Sequence, residues 1–147
     1  MKCIGCRVSA EGFAVIPGVG DAGEIRFFCD GCARRERVKM RYWDGRDLDV
    51  GGHRDDPDLG PSFATLVFGF EDLGRMRVQD VALVLEWVDD AELAAAMVGS
   101  AAATQQRIFS ALRPDRLRRV REMLASGRGA RDPREAQASI VQTVKKL

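Results

Sequence analysis

Four cysteines hold the residue types with the clearest chemistry in this chain. Cys3-Ile4-Gly5-Cys6 and Cys29-Asp30-Gly31-Cys32 are two Cys-x-x-Cys turns separated by twenty-two residues. A turn of this form presents two thiolates on one side of an ion while its backbone amides support the sulfurs, and two such turns complete a tetrahedron for zinc. A glycine lies in each turn, where the chain must fold tightly about a metal. With all four positions filled by sulfur there is no vacancy for water, so Zn2+ is expected in a structural role and not as a Lewis acid. The alternative is thiol redox chemistry, which usually sits after a strand in a βαβ context that this sequence lacks.

The elements that position these sulfurs are legible around them. Gly12-Phe13-Ala14-Val15-Ile16 and Glu24-Ile25-Arg26-Phe27-Phe28 read as strands, with Pro17 to Gly23 as their turn. The second cysteine pair then opens a helix expected over Ala33 to Met40. A knuckle, a hairpin and a helix at the second pair make a treble-clef or zinc-ribbon module, assigned to residues 1–41. The run Phe27-Phe28-Cys29-Asp30-Gly31-Cys32 resembles the zinc-binding domain of ClpX unfoldases.

From Tyr42 to Ser62 the chain is dense in Asp, Gly and Pro, and residues 42–62 are expected to be a flexible linker. Residues 63–147 switch to helical spacing. Val78, Val81, Leu83, Val84, Leu85 and Val88 supply one stripe, and Leu93, Ala94 and Met97 the next. Asp89 and Asp90, then Ser100, are placed to cap helices; Gly127 is placed to end one begun near Pro114, and Asp132-Pro133 to open the last. In that last helix Ala136, Ile140, Val144 and Leu147 make an apolar face, with Lys145 and Lys146 in the final turn.

The order of residues from Thr65 onward resembles the C-terminal domain of the flagellar motor switch protein FliG. That family's Met-Phe-Val-Phe hinge followed by Glu-Asp-Leu corresponds to Val67-Phe68-Gly69-Phe70 and Glu71-Asp72-Leu73. The likeness continues through Val84-Leu85-Glu86-Trp87-Val88-Asp89, through Leu93 to Gly99, and ends with Glu135-Ala136-Gln137 and Ile140 to Leu147. It implies an all-α, armadillo-like stack and a protein-interaction role. Where the family carries stator-facing charges, this chain has Val98, Asp115, Glu122 and Met123, and one of the four keeps its sign. A torque-generating contact built on charge complementarity is therefore not expected. Phe68, Phe70, Arg116, Arg119 and Glu122 are the candidate partner-binding residues.

Composition bounds the remaining classes. The 147 residues are 46% hydrophobic and 31% charged with a formal net charge of +1, which sets up no long-range field of the kind nucleic-acid binders use. Arginines are nevertheless concentrated between Arg107 and Arg131, with only Asp115 and Glu122 against them from Arg113 onward. A second basic run, Arg34-Arg35-x-Arg37-x-Lys39-x-Arg41, follows the cysteines, so a nucleic-acid-binding regulator is the alternative reading. No run approaches the roughly 20 apolar residues of a membrane span, and the N-terminus has no apolar signal core, so a cytoplasmic location with reduced thiols is expected. His53 has no partner spaced for catalysis, Gly18-Val19-Gly20 reads as a turn and not a phosphate loop, and no enzyme activity is expected. The expected protein is a non-enzymatic zinc-binding adaptor for a motility, flagellar or secretion assembly, with the zinc module as a second docking or homodimerising surface.

Overall fold

A computed structural model describes residues 1–17, 23–48, 68–127 and 131–147. The expected turn after Pro17, the linker from Asp49 with His53, the first hinge position Val67, and Arg128 lie outside the described residues. The chain divides into two compact units, Met1–Phe68 and Gly69–Leu147, so the boundary falls inside the hinge, between Phe68 and Gly69.

In the first unit, β1 (Gly12–Ile16) and β2 (Glu24–Phe28) are the two expected strands, antiparallel, with Phe13 opposite Phe27 and Ala14 opposite Arg26. A third strand, β3 (Arg41–Tyr42), pairs with the other edge of β1 and gives the order β2-β1-β3. Gly12 is required at this seam: a Cβ there would stand 2.1 Å from the Arg41 carbonyl oxygen. Because side chains alternate across a sheet, Ala14 and Phe28 share one face and Phe13 and Phe27 the other. The first face packs with Cys3, Cys32, Ala33, Met40 and Leu48 into one buried cluster. The second is closed by aromatic rings, with Phe68 5.3 Å from Phe13 edge-on and Trp43 5.9 Å from Phe27. Trp43 is fixed by its indole N–H, which donates to the Ala10 carbonyl at 3.0 Å.

Two sequence expectations are corrected here. The helix expected over Ala33 to Met40 is instead α1 (Asp30–Arg35), which begins with the second cysteine pair and stops at Glu36. Arg37 has φ 52°, and this left-handed residue turns the chain so that Met40 enters the core and Arg41 joins the sheet. The segment from Tyr42 to Leu48, expected in the linker, is structured: Tyr42 is in β3, Leu48 is buried, and the Leu48 N–H donates to the Met40 carbonyl.

The second unit opens with a 3-10 helix (Phe70–Arg75), followed by α2 (Val78–Leu85), α3 (Asp90–Met97), α4 (Ala102–Ala111), α5 (Pro114–Ser126) and α6 (Pro133–Lys146). α3 is buried from Leu93 through Met97 and lies against both α5 and α6, its three consecutive alanines allowing close approach on more than one side. The α2 stripe is narrower than expected. Val81, Val84, Leu85 and Val88 are buried, whereas Val78 and Leu83 are exposed. Ala136, Ile140 and Val144 form the buried face of α6.

Capping follows the sequence at three places and departs from it at one. Asp89 accepts from the Glu92 N–H at 2.7 Å, Asp132 accepts from Arg134, and α5 ends at Gly127. Ser100 does not cap α4. Its hydroxyl donates back to the Met97 carbonyl, and the Glu71 carboxylate supplies the cap from thirty residues upstream, accepting from the Ala101 N–H and the Thr104 hydroxyl. A carboxylate is the stronger acceptor for the exposed N–H groups at a helix start, where the dipole favours negative charge. Among the described residues no helix is long and apolar enough to cross a membrane.

Candidate functional site

Cys3 and Cys6 are carried by a short knuckle that closes on itself before it meets the sheet. The Cys3 N–H donates to the Val8 carbonyl at 2.8 Å and the Arg7 N–H to the Cys3 carbonyl at 3.0 Å, with Arg7 in the left-handed region at φ 66°. The Ile4 N–H then donates to the Phe27 carbonyl at 2.9 Å, tying the knuckle to the strand that delivers Cys29. Cys29 is the residue before α1 and keeps extended geometry, while Cys32 lies one turn inside the helix. Hairpin, knuckle and helix start thus converge on one point.

At that point the four sulfurs lie within 4.8 Å of one another, and the Cys6 and Cys29 Sγ atoms are 3.5 Å apart. A zinc ion with Zn–S bonds of about 2.3 Å needs sulfurs separated by about 3.8 Å, and a disulfide needs about 2.05 Å. The observed spacing suits the first and not the second; all four cysteines are free. Gly5 makes room for it, since a Cβ at that position would stand 2.9 Å from Cys32 Sγ. Cys3 and Cys32 are buried, Cys29 is half-buried and Cys6 is exposed.

The electrostatics of the cluster favour a cation. Burial acts to raise the Cys3 thiol, but the N–H groups of Cys29, Cys6 and Gly5 outweigh it and bring it down to about 6. The Cys6 sulfur and then burial push Cys32 up to about 12. On Cys29 the Cys32 N–H pulls downward, yet burial and the neighbouring sulfurs leave it raised. Cys3 is thus readily anionic while Cys29 and Cys32 resist sharing negative charge, the opposition that a bound dication removes. Arg35 adds a positive group at the rim, its Nη2 donating to Cys32 Sγ at 3.2 Å. The donor set, spacing and charge demand all fit zinc, with Cys3, Cys6, Cys29 and Cys32 as the residues that would hold it. Such an ion would cross-link the knuckle to α1 and leave no coordination position for a reacting molecule.

The basic run after the cysteines does not form a continuous charged face. Arg34 pairs with Asp30 at 2.7 Å, Arg35 turns to Cys32, and Arg41 is buried against Asp47 at 2.8 Å. Asp30 also accepts from the Tyr42 hydroxyl, and the Asp30 N–H donates to Glu11 at 2.7 Å.

The candidate partner-binding residues fare unequally. Phe68 and Phe70 are only 2% and 5% exposed, Phe68 within the aromatic cluster of the first unit and Phe70 in the core of the second. Arg116, expected to point outward, is turned inward: it donates to the Asp90 carboxylate and to the carbonyls of Leu85 and Val88 at the end of α2. All three side chains make their contacts within the chain. Arg119 is more open, pairing with Asp90 at 2.8 Å, and Glu122 is exposed. Glu122 lines a shallow groove of about 430 Å³ on α5 with Pro114, Leu117, Arg118, Arg121 and Ala125. Arg121 is steadied there by the Phe109 ring, 5.0 Å from its guanidinium carbon. Nothing in the sequence linked Asp90 to Arg116, twenty-six residues away. The arginine-rich composition of α5 was the only signal for the groove.

The FliG C-terminal domain family matches residues 53–147, and the chain belongs to that family. The match begins downstream of the four cysteines and covers the whole helical unit. No curated protein is significantly similar to the chain.

Proposed function

We propose that this protein is a non-enzymatic, zinc-binding adaptor that docks a protein partner through its FliG-type helical unit, in the cytoplasm and within a motility, flagellar or secretion assembly. Membership of the FliG C-terminal domain family over residues 53–147 carries the reading. Four sulfurs at tetrahedral spacing support a structural zinc ion in a treble-clef-like module, bound by Cys3, Cys6, Cys29 and Cys32. The docking face of the proposal is α5, where Arg118 and Arg121, with Glu122 beside them, flank a groove floored by Leu117 and Ala125, and Arg119 lies on the same helix outside the groove. An apolar floor with cationic walls suits an acidic, amphipathic segment of a partner, because the apolar contact supplies affinity and the charges supply register and approach rate.

The test is a pull-down from the native host with the zinc-loaded chain, alongside metal analysis of the purified protein. Recovery of motility or secretion components, lost on Arg118→Glu with Arg121→Glu, is the expected result. Recovery of nucleic acid alone, or retention of the same components by the charge-reversed chain, contradicts it.

A further inference from the structure

The four sulfurs are not equivalent, and the difference is one of access. Cys3 is 0% exposed and Cys32 is 2% exposed, both within the buried cluster of the first unit. Cys6 is exposed at the tip of the knuckle, and Cys29 is half-buried at the mouth of α1. These two outer sulfurs touch each other at 3.5 Å although they belong to different segments. The inner two also accept from donors outside the sulfur cluster: the Gly5 N–H donates to Cys3 Sγ at 3.4 Å, and the Arg35 guanidinium donates to Cys32 Sγ. Burial keeps an electrophile away from this inner pair, whereas the outer pair is open to it.

We infer that the Cys6–Cys29 pair is an oxidation-sensitive edge of the metal site, on which hydrogen peroxide forms a disulfide that releases the metal. The inference rests on the metal reading above and concerns its regulation. The Cys6 thiolate attacks one peroxide oxygen; the O–O bond breaks, Cys6 becomes a sulfenic acid, and the departing hydroxide takes a proton from solvent to leave as water. The Cys29 thiolate then attacks the Cys6 sulfur, and the S–S bond forms as a second hydroxide leaves and is protonated. Two thiolates, one hydrogen peroxide and two protons become one disulfide and two waters, the sulfurs losing the two electrons that the peroxide gains. Two of four ligands are thereby withdrawn, and the remaining pair, Cys3 and Cys32, cannot hold the ion tightly. The new bond joins the same two segments that the metal joined, so the module stays tethered and thiol reductant with fresh zinc restores it.

Zinc-loaded full-length protein is titrated with hydrogen peroxide while zinc release is followed with a chromophoric chelator and free thiols are counted. At each point the thiols are blocked with N-ethylmaleimide, then reduced and labelled with iodoacetamide, and every cysteine is assigned by fragmentation mass spectrometry. The expected result is one zinc released for every two thiols lost, with iodoacetamide on Cys6 and Cys29 and maleimide on Cys3 and Cys32. Pairing within Cys3–Cys6 or Cys29–Cys32 overturns the inference. So does irreversible over-oxidation of Cys6 without a disulfide, or full resistance where free glutathione is consumed. A chain that carries no zinc after purification under reducing conditions overturns the metal reading itself, which separates the two failures.

Discussion

Arg116 on α5 spans twenty-six residues to reach the Asp90 carboxylate at the first position of α3, and in the same geometry closes the carbonyls of Leu85 and Val88 at the end of α2. One guanidinium thus joins three helices at the turn between α2 and α3. Its planar fork is what makes this feasible, since several donors must diverge toward separate acceptors.

Arg116→Ala leaves Asp90 short of its inner partner and two helix-end carbonyls without a donor. A loss of about 2–4 kcal/mol is expected in chemical denaturation of the second unit. Arg116→Lys recovers only part of this, because an ammonium does not reproduce the fork. Arg119→Ala, at a half-exposed pair, costs less than about 1 kcal/mol. Equal effects at positions 116 and 119 would contradict the clamp.

Acid should weaken this junction. Burial acts to raise Asp90, but the hydrogen bonds from Arg116 and Arg119 outweigh it and hold the carboxyl below the ordinary carboxylate range. A depressed folded-state value means the stabilisation is fully present above the unfolded value of about 3.9 and is lost as pH falls through the folded one. Asp72 has the opposite sign: burial raises its carboxyl despite the Gly69 N–H, so its ionisation costs stability as pH rises through the raised value. Urea denaturation of wild type and Asp90→Asn between about pH 5 and pH 2 checks the Asp90 contribution. The wild type should lose more stability across that window than the variant, and parallel curves would remove Asp90 as the cause.

Metal removal should act on one unit. With zinc stripped by a chelator at neutral pH, hydrogen exchange is expected to accelerate across β1, β2 and α1 while the amides of α3 and α6 keep their protection. Apparent binding energies of about 10–16 kcal/mol for structural zinc in small modules exceed what this three-stranded unit could supply from its core alone. Unchanged exchange in β1 and β2 would show that the sheet stands without metal.

Two variants near the sulfurs separate packing from ligation. Gly5→Ala places a methyl group 2.9 Å from Cys32 Sγ, and Arg35→Ala removes the guanidinium from the same sulfur. Each should weaken zinc binding by about 10–100-fold in chelator competition without removing a ligand. An unaltered affinity in both would leave the rim of the site without influence on the metal.

Phe68→Ala separates a packing role of the hinge phenylalanine from a docking one. Its ring stacks edge-on against Phe13 and Trp43 and is almost wholly buried, so a loss of about 3–5 kcal/mol in the first unit is expected. A variant of full stability that instead lost partner binding would assign Phe68 to docking.

Local pattern carried far in this chain. Cys-x-x-Cys spacing named the four sulfurs that converge, short apolar runs on either side of a Pro/Gly-rich turn placed β1 and β2 at their observed ends, and Asp89, Gly127 and Asp132-Pro133 marked helix boundaries, because each is set by contacts within a few residues. What failed depended on partners distant in sequence. β3 forms because Gly12 lets a strand some thirty residues away lie against it, and α1 stops early because Met40 is drawn into a core shared with Cys3 and Phe28. Likewise, Glu71 displaces Ser100 as the cap of α4 because the 3-10 helix packs there. An arginine on an amphipathic helix reads as solvent-facing until the carbonyls it will meet are in place; only tertiary packing brought Leu85, Val88 and Asp90 within reach of Arg116 and left it half-buried between helices.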